Sequence, residues 1–298
     1  MGEPTSEPVN DAPAPPRKGP RVIILIPLLV ACILLPFVFW KQTWFGEALG
    51  AEDIITRIDA ISGPNTQQRD LRRAQHAIEQ ISKRVATHAK TGKGDPKQFY
   101  AKVIALAGHE EAVIRETVAW LMGEDAKEPS FAKPLRALVA DDQPIVRRNA
   151  ALSLGKRRDL AALPVLRAML LPFPIQAPAA GEIVGIVPSV YGVCRGVEIA
   201  RIRTASGSVE TVRTPVLGGK TGRVLASKGG TVAAGAIICS VMPSSREVFY
   251  ALICLHEIGT AAELPLLKPY LEPSADYGRK VAEQAKRTRV AIEKRTGQ

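Results

Sequence analysis

Few side chains in this 298-residue chain have the type and spacing that catalysis requires. The four histidines, His76, His88, His109 and His256, stand singly. None forms an HExxH pair, the spacing that sets two metal ligands on one helix face, so each reads as a satisfied surface or groove position. The four cysteines, Cys32, Cys194, Cys239 and Cys254, contain no CxxC pair; Cys32 lies in an apolar run, which leaves an odd three. Cys194 and Cys239 could meet across a folded β segment, but burial as small apolar side chains is the simpler reading. Gly218-Gly219-Lys220-Thr221-Gly222 has the composition of a phosphate loop. The first glycine of GxxxxGK[ST] is missing, however, and the loop feeds strands where the motif requires a helix. No Gly-x-Ser-x-Gly elbow and no nucleophile–base grouping is present. The chain is therefore read as a non-enzyme, with no catalytic residue, no cofactor, no metal and no small-molecule substrate.

The residues that do recur with fixed spacing are structural. From Ala51 to Leu171 apolar positions return every three or four residues, as in Leu71, Ala74, Ile78, Ile81 and Val85, which predicts amphipathic helices. Residues 112–123 (AVIRETVAWLMG) overlay residues 144–155 (PIVRRNAALSLG) at an offset of 32, so that Arg115 meets Arg147, Ala119 meets Ala151 and Gly123 meets Gly155. A second helix follows each copy, KPLRALV and LPVLRAML. Helix pairs at this interval predict a stacked solenoid, each pair burying its apolar face on its neighbours. The pattern resembles HEAT-like repeats: residues 141–170 carry that family's Asp, Pro, Val-Arg, Ala-Ala, Leu-Gly and Leu-Pro positions in order. A third copy, ALICLHEIGTAAELPLLKPYL (251–271), places Gly259 where Gly155 stood, 104 residues on. Taking away the dissimilar residues 174–245, 72 in all, restores the interval of 32. A cation-rich amphipathic helix from Asp276 to Arg295 closes the array.

Within 174–245 helical spacing gives way to short runs rich in Val, Ile, Thr and Gly, which read as many short strands. The segment is duplicated: Pro178 and Gly181 match Pro215 and Gly218, while Gly192 and Gly196 match Gly230 and Gly235. Glycines in such places are expected at turns with positive φ. The frame resembles the biotinyl/lipoyl-like sandwich, or barrel-sandwich hybrid, of carrier domains and of membrane-fusion (periplasmic adaptor) proteins. That resemblance places a modified lysine on the hairpin joining the halves, but here residues 203–213 (RTASGSVETVR) contain none. Lys220 and Lys228 lie in the second half, where the family is not modified. Related duplicated β domains work through histidine, and this segment has no histidine either. Membrane-fusion proteins also carry a long α-hairpin where this chain has a tight turn.

Ahead of the helices, residues 1–21 are a Pro-rich polar tail, expected to be disordered. Residues 22–40 are 19 positions without a charge, bounded by Arg21 and Lys41 and followed by Trp44 and Phe45. At about 1.5 Å per residue such a helix spans a bilayer core. Arg17, Lys18 and Arg21 before it, against Lys41, Glu47, Glu52 and Asp53 after it, put the tail in the cytoplasm and the remainder across the membrane, the periplasm in a bacterium. The net charge of +11 is spread over the chain and aromatic residues make up only 5%, which argues against nucleic acid and for a diffusely cationic surface beside an anionic membrane.

The expected architecture is thus an α-solenoid of HEAT-like helix pairs interrupted by a small all-β lipoyl-like sandwich and preceded by one transmembrane helix. Its segments are 1–21, 22–40, 41–173, 174–245 and 246–298. The expected role is a single-pass, membrane-anchored scaffold or adaptor with protein partners, in an envelope export or efflux complex. The alternatives are a HEAT-like enzyme of lyase or hydroxylase type, or a periplasmic peptide- or lipid-binding protein.

Overall fold

The computed structural model describes residues 48–63, 66–187, 190, 191, 196–214, 221–225 and 227–297, and positions 30, 32 and 34 besides. The chain divides into two compact units, residues 1–49 and 50–298. In the first, Val30, Cys32 and Leu34 are helical and exposed. The rest of the expected span 22–40, and all of the tail 1–21, lie outside the described residues. Among the described residues no helix is long and apolar enough to cross a membrane.

The second unit begins with α1 (Ala51–Asp59) and α2 (Gln68–Thr91), which pack together. Leu71, Ala74, Ile78, Ile81 and Val85 form the buried stripe of α2, and Gly92 ends the helix in the left-handed conformation, its N–H donating to His88 O. Three helix pairs continue the stack: α3 (Tyr100–Ala105) completes the pair begun by α2, then come α4 (Ala112–Met122) with α5 (Ala132–Leu138), and α6 (Pro144–Lys156) with α7 (Leu163–Ala168). Each second helix is entered through a 3-10 turn whose free amide is capped by an acid: Asp95 on Lys97, Glu128 on Ser130, Asp159 on Ala161. After the β segment come α8 (Ser245–Ile258), the short α9 (Leu264–Leu267) and the closing α10 (Arg279–Thr296). First helices stack in order, α2 on α4, α4 on α6, α6 on α8 and α8 on α10.

Helix α6 therefore meets α8 as its neighbour although the β segment lies between them in sequence. The offset across the gap differs from the one the glycines suggest. The N-caps Gln143 and Ser244 are 101 apart, as are the Leu163-Pro164 and Leu264-Pro265 pairs. The counterpart of Gly155 is then His256, and Gly259 lies three residues farther on, as the C-cap of α8. Helix α8 runs one residue longer than α6 and its turn into α9 is correspondingly recast. Aligning glycine to glycine misplaces the copy by nearly one helical turn. The strands also run from Phe173 to Met242, and Ser245 already begins α8, so the β segment starts one residue earlier and ends three earlier than 174–245.

Among the described residues, eight strands form two four-stranded antiparallel sheets: β1 (Phe173–Gln176), β2 (Gly181–Ile186), β3 (Val190–Tyr191), β4 (Glu198–Arg203), β5 (Val209–Arg213), β6 (Thr221–Val224), β7 (Thr231–Val232) and β8 (Ile237–Met242). One sheet has the order β1-β8-β6-β3, the other β5-β4-β2-β7. Exchanging the two halves of the segment, β1–β4 for β5–β8, converts either order into the other. Each half thus supplies two strands to each sheet, the structural form of the sequence duplication. The sheets enclose Ile175, Ile183, Ile199, Ile202, Val212, Ile238 and Val241.

The matched glycines divide by role. Gly196 and Gly235 have positive φ, 69° and 79°, as do Gly207 and Gly229 in neighbouring turns. Gly181 and Gly230 do not, so the expectation of positive φ fails for them. Gly181 is instead needed for close approach: a Cβ there would lie 2.1 Å from Arg203 O on the paired strand β4. Pro178 falls in the bend between β1 and β2. Gly192, Pro215 and Gly218 lie outside the described residues.

Candidate functional site

The repeated arginines perform one job twice. Arg115 Nη1 donates to the carbonyls of His109 (2.9 Å) and Glu110 (2.7 Å), and Arg147 Nη1 donates to those of Asp141 (2.7 Å) and Asp142 (2.9 Å). Each arginine thereby satisfies the turn that leads into its own helix. Arg115 also forks onto Asp141, Nε to Oδ2 at 2.6 Å and Nη2 to Oδ1 at 2.9 Å, joining one repeat to the next. Burial pushes the Asp141 carboxyl up, but the bonds from Arg115 and from Gln143 N–H outweigh it and hold the group below the usual carboxylate range. Arg115 is raised in return, chiefly by its hydrogen bond to Asp141.

The repeat glycines lie where first helices touch. A Cβ on Gly123 would meet Ser153 Oγ at 2.2 Å, one on Gly155 would meet Cys254 Cβ and Sγ at 2.6 Å, and one on Gly259 would meet Ile292 at 2.6 Å. Small polar side chains bridge the same junctions to backbone carbonyls: Ser153 to Ala119 (2.7 Å), Cys254 to Leu152 (3.7 Å) and Thr288 to Leu252 (2.9 Å). Two carboxylates then tie the solenoid together across the β segment. Glu247 closes a capping box with Ser244 and accepts from Arg148 at 2.5 Å, while Glu263, fully buried, closes one with Thr260 and accepts from Arg167.

On the face formed by the first helices, a cavity of about 560 Å³ between α4, α6 and α8 adjoins one of about 420 Å³ between α2, α4 and α6. Both are lined by Glu116, Trp120 and Asn149, so they form one groove across four consecutive first helices. Its apolar surface comes from Trp120 (38% exposed), Tyr250 (44%) and Ile253 (39%), with Leu152 between them. Arg246 lies over the Tyr250 ring at 5.8 Å, and Lys156 pairs with Glu124 at 2.9 Å on the rim. Charged groups of both signs line the groove, with the Arg148–Glu247 pair among them. The surface suits a polypeptide segment with apolar side chains: aromatic anchors beside amide and carbonyl groups, with no concentration of one charge.

None of the residues that line this groove was singled out by motif. A signal did exist: Trp120, Tyr250 and Ile253 are large apolar residues that fall off the buried stripes of their helices. The histidines are not brought together. His76 contacts Arg57 and Gln80, and His109 bridges Ile61 O and Glu111 N. Among the described residues no group of three or more His, Cys, Asp or Glu is arranged to hold a metal ion. Cys239 and Cys254 are free and buried; burial raises both thiols, Cys254 to about 11. Cys194, and with it any pairing to Cys239, lies outside the described residues. Thr221 and Gly222 of the glycine-rich loop begin β6, which is a strand. The β4–β5 hairpin closes through Thr204 and Ser208, and its tip carries hydroxyls and no amine.

A protein-family model described as HEAT repeats matches residues 100–172, which hold α3 to α7. Residues 100–172 are HEAT-like, and HEAT repeats are a framework for protein interaction. No curated protein matches the chain.

Proposed function

We propose that this protein is a non-enzymatic scaffold, held at a membrane by residues 22–40, that binds protein partners in the groove of its HEAT-like first helices. The observation that carries this reading is the groove itself, continuous over α2, α4, α6 and α8 and floored by exposed Trp120, Tyr250 and Ile253. Large aromatic side chains left partly exposed along a groove mark binding anchors. The uncharged run 22–40, with its flanking cations, supports a single-pass anchor with the folded part on the far side from the cytoplasm. The exchange of strands between duplicated halves supports the resemblance of the β segment to biotinyl/lipoyl-like domains of periplasmic adaptors. Without a lysine on the β4–β5 hairpin, the module would act as a contact surface in an envelope complex and not as a carrier.

The test is crosslinking from intact membranes with the full chain and with Trp120→Ala/Tyr250→Ala. The groove reading expects the same discrete crosslinked species to be lost from the variant while its helical circular dichroism is retained. An unchanged crosslinking pattern refutes it. Extraction at alkaline pH and protease protection address the anchor separately. Release of the chain from membranes by carbonate, or digestion of the helical unit from the cytoplasmic side, would overturn that part alone.

A further inference from the structure

The β module leaves the solenoid after Leu170 and returns at Pro243, and its first and last strands are paired, Phe173 opposite Val241. A module on two adjacent strands has a stem but no fixed direction, because rotations in the few connecting residues swing it as a body. Both connections are held from elsewhere in the chain. Tyr270 Oη donates to Leu170 O at 2.5 Å, on the outgoing connection, and Tyr277 Oη donates to Pro243 O at 3.1 Å, on the returning one. The two rings stack edge to face with centroids 4.8 Å apart, and both residues are buried. The turn presenting Tyr277 is itself fixed: Ser274 N–H donates to Tyr277 O (2.9 Å), Tyr277 N–H to Ser274 Oγ (3.1 Å), and Ser245 Oγ to Asp276 O (2.6 Å).

We infer that Tyr270 and Tyr277 form a clamp that fixes the direction of the β module, so that the module and the solenoid move as one body only while both connections are held. The acceptors are backbone carbonyls 100 and 34 residues before their donors, so neither bond is a by-product of local helix or turn formation. The ring pair makes the two bonds cooperative, since displacing one tyrosine removes the packing of the other. Burial raises both hydroxyls, which keeps them protonated donors at ordinary pH. The segment after α9 therefore aims the module. This conclusion is independent of what binds in the groove.

The experiment uses the purified full chain with Cys32→Ser and Cys194→Ser, spin-labelled at Thr87→Cys on α2 and Ser206→Cys on the β4–β5 turn. Electron–electron distance measurements should give one narrow distribution with both tyrosines present. In Tyr270→Phe/Tyr277→Phe, which keeps the rings and removes only the two donors, that narrow distribution should be lost while the helical circular dichroism is unchanged. A narrow distribution retained in the double variant overturns the clamp. If the double variant loses its helical signal, Tyr277→Phe alone carries the test, because its ring remains packed and the bond to Pro243 is removed. Broadening then supports the clamp, and an unchanged distribution refutes it. Trp120→Ala is the control and should not broaden the distance.

Discussion

Replacing Gly155 by Ala tests whether α6 and α8 are neighbours despite the β module between them. The new Cβ would lie 2.6 Å from both Cβ and Sγ of Cys254. Carbon atoms in ordinary contact sit about 3.5–4.0 Å apart, so the two helices must part by about 1 Å. Overpacking of this kind costs about 1–3 kcal/mol, while removing glycine from a helix interior returns about 1 kcal/mol. Gly155→Ala should therefore destabilise the protein by up to about 2 kcal/mol in the native background. In a Cys254→Gly background the obstruction is gone, and the same substitution should stabilise by about 1 kcal/mol. The coupling between the sites, about 1–3 kcal/mol, is read from urea unfolding of all four proteins followed by circular dichroism. A coupling below about 0.5 kcal/mol would mean that the two residues do not touch, and the stacking of α6 on α8 would fall with it.

Glu263→Ala removes a fully buried carboxylate that caps Thr260 and receives Arg167, and should cost about 3 kcal/mol, a fall of about 6–12 °C in Tm by calorimetry. Arg167 is partly exposed and can rehydrate, which keeps the loss at the lower end of the range for broken buried pairs. Asp141 is held below its ordinary range in the folded chain, so its contribution is present above the unfolded carboxylate value near 3.9 and disappears as pH falls through the folded one. Asp141→Asn should flatten that acid limb of the stability profile; an unchanged slope below about pH 4 would refute the assignment. Gly181→Ala should loosen the β2–β4 pairing, seen as faster amide exchange in the β module with the helices of the solenoid still protected. The Cys254 thiol, raised by burial to about 11, should resist Ellman's reagent at pH 8 until the chain is unfolded, and rapid reaction in the folded state would contradict its placement.

Much of the helical part is legible along the chain because its determinants are local. The stripe from Leu71 to Val85, the acids before the 3-10 turns that lead into α3, α5 and α7, and the pairing of Arg115 with Arg147 act within one repeat or between adjacent ones. A feature repeated every 32 residues shows itself by comparison with its own copy. Register across the β module was not legible in the same way. Gly155 and Gly259 look alike in sequence, yet one lies inside a helix against Cys254 and the other ends a helix against Ile292. The glycine side chain says only that something is close, not which element it is.

The sequence by itself determined that there are helix pairs, that a duplicated β-rich segment interrupts them, and that the segment's hairpin lacks a lysine. Those properties follow from hydrophobic period, turn residues and residue identity, each of which is written at single positions. Only the tertiary structure decided which carboxylate meets which arginine across the gap, that Trp120, Tyr250 and Ile253 line one groove, and that Tyr270 and Tyr277 hold the two connections of the module. These contacts join residues from about 30 to 130 positions apart, and their partners are often backbone carbonyls, which every residue carries. Selection among identical acceptors is made by packing, and packing exists only once the repeats have stacked.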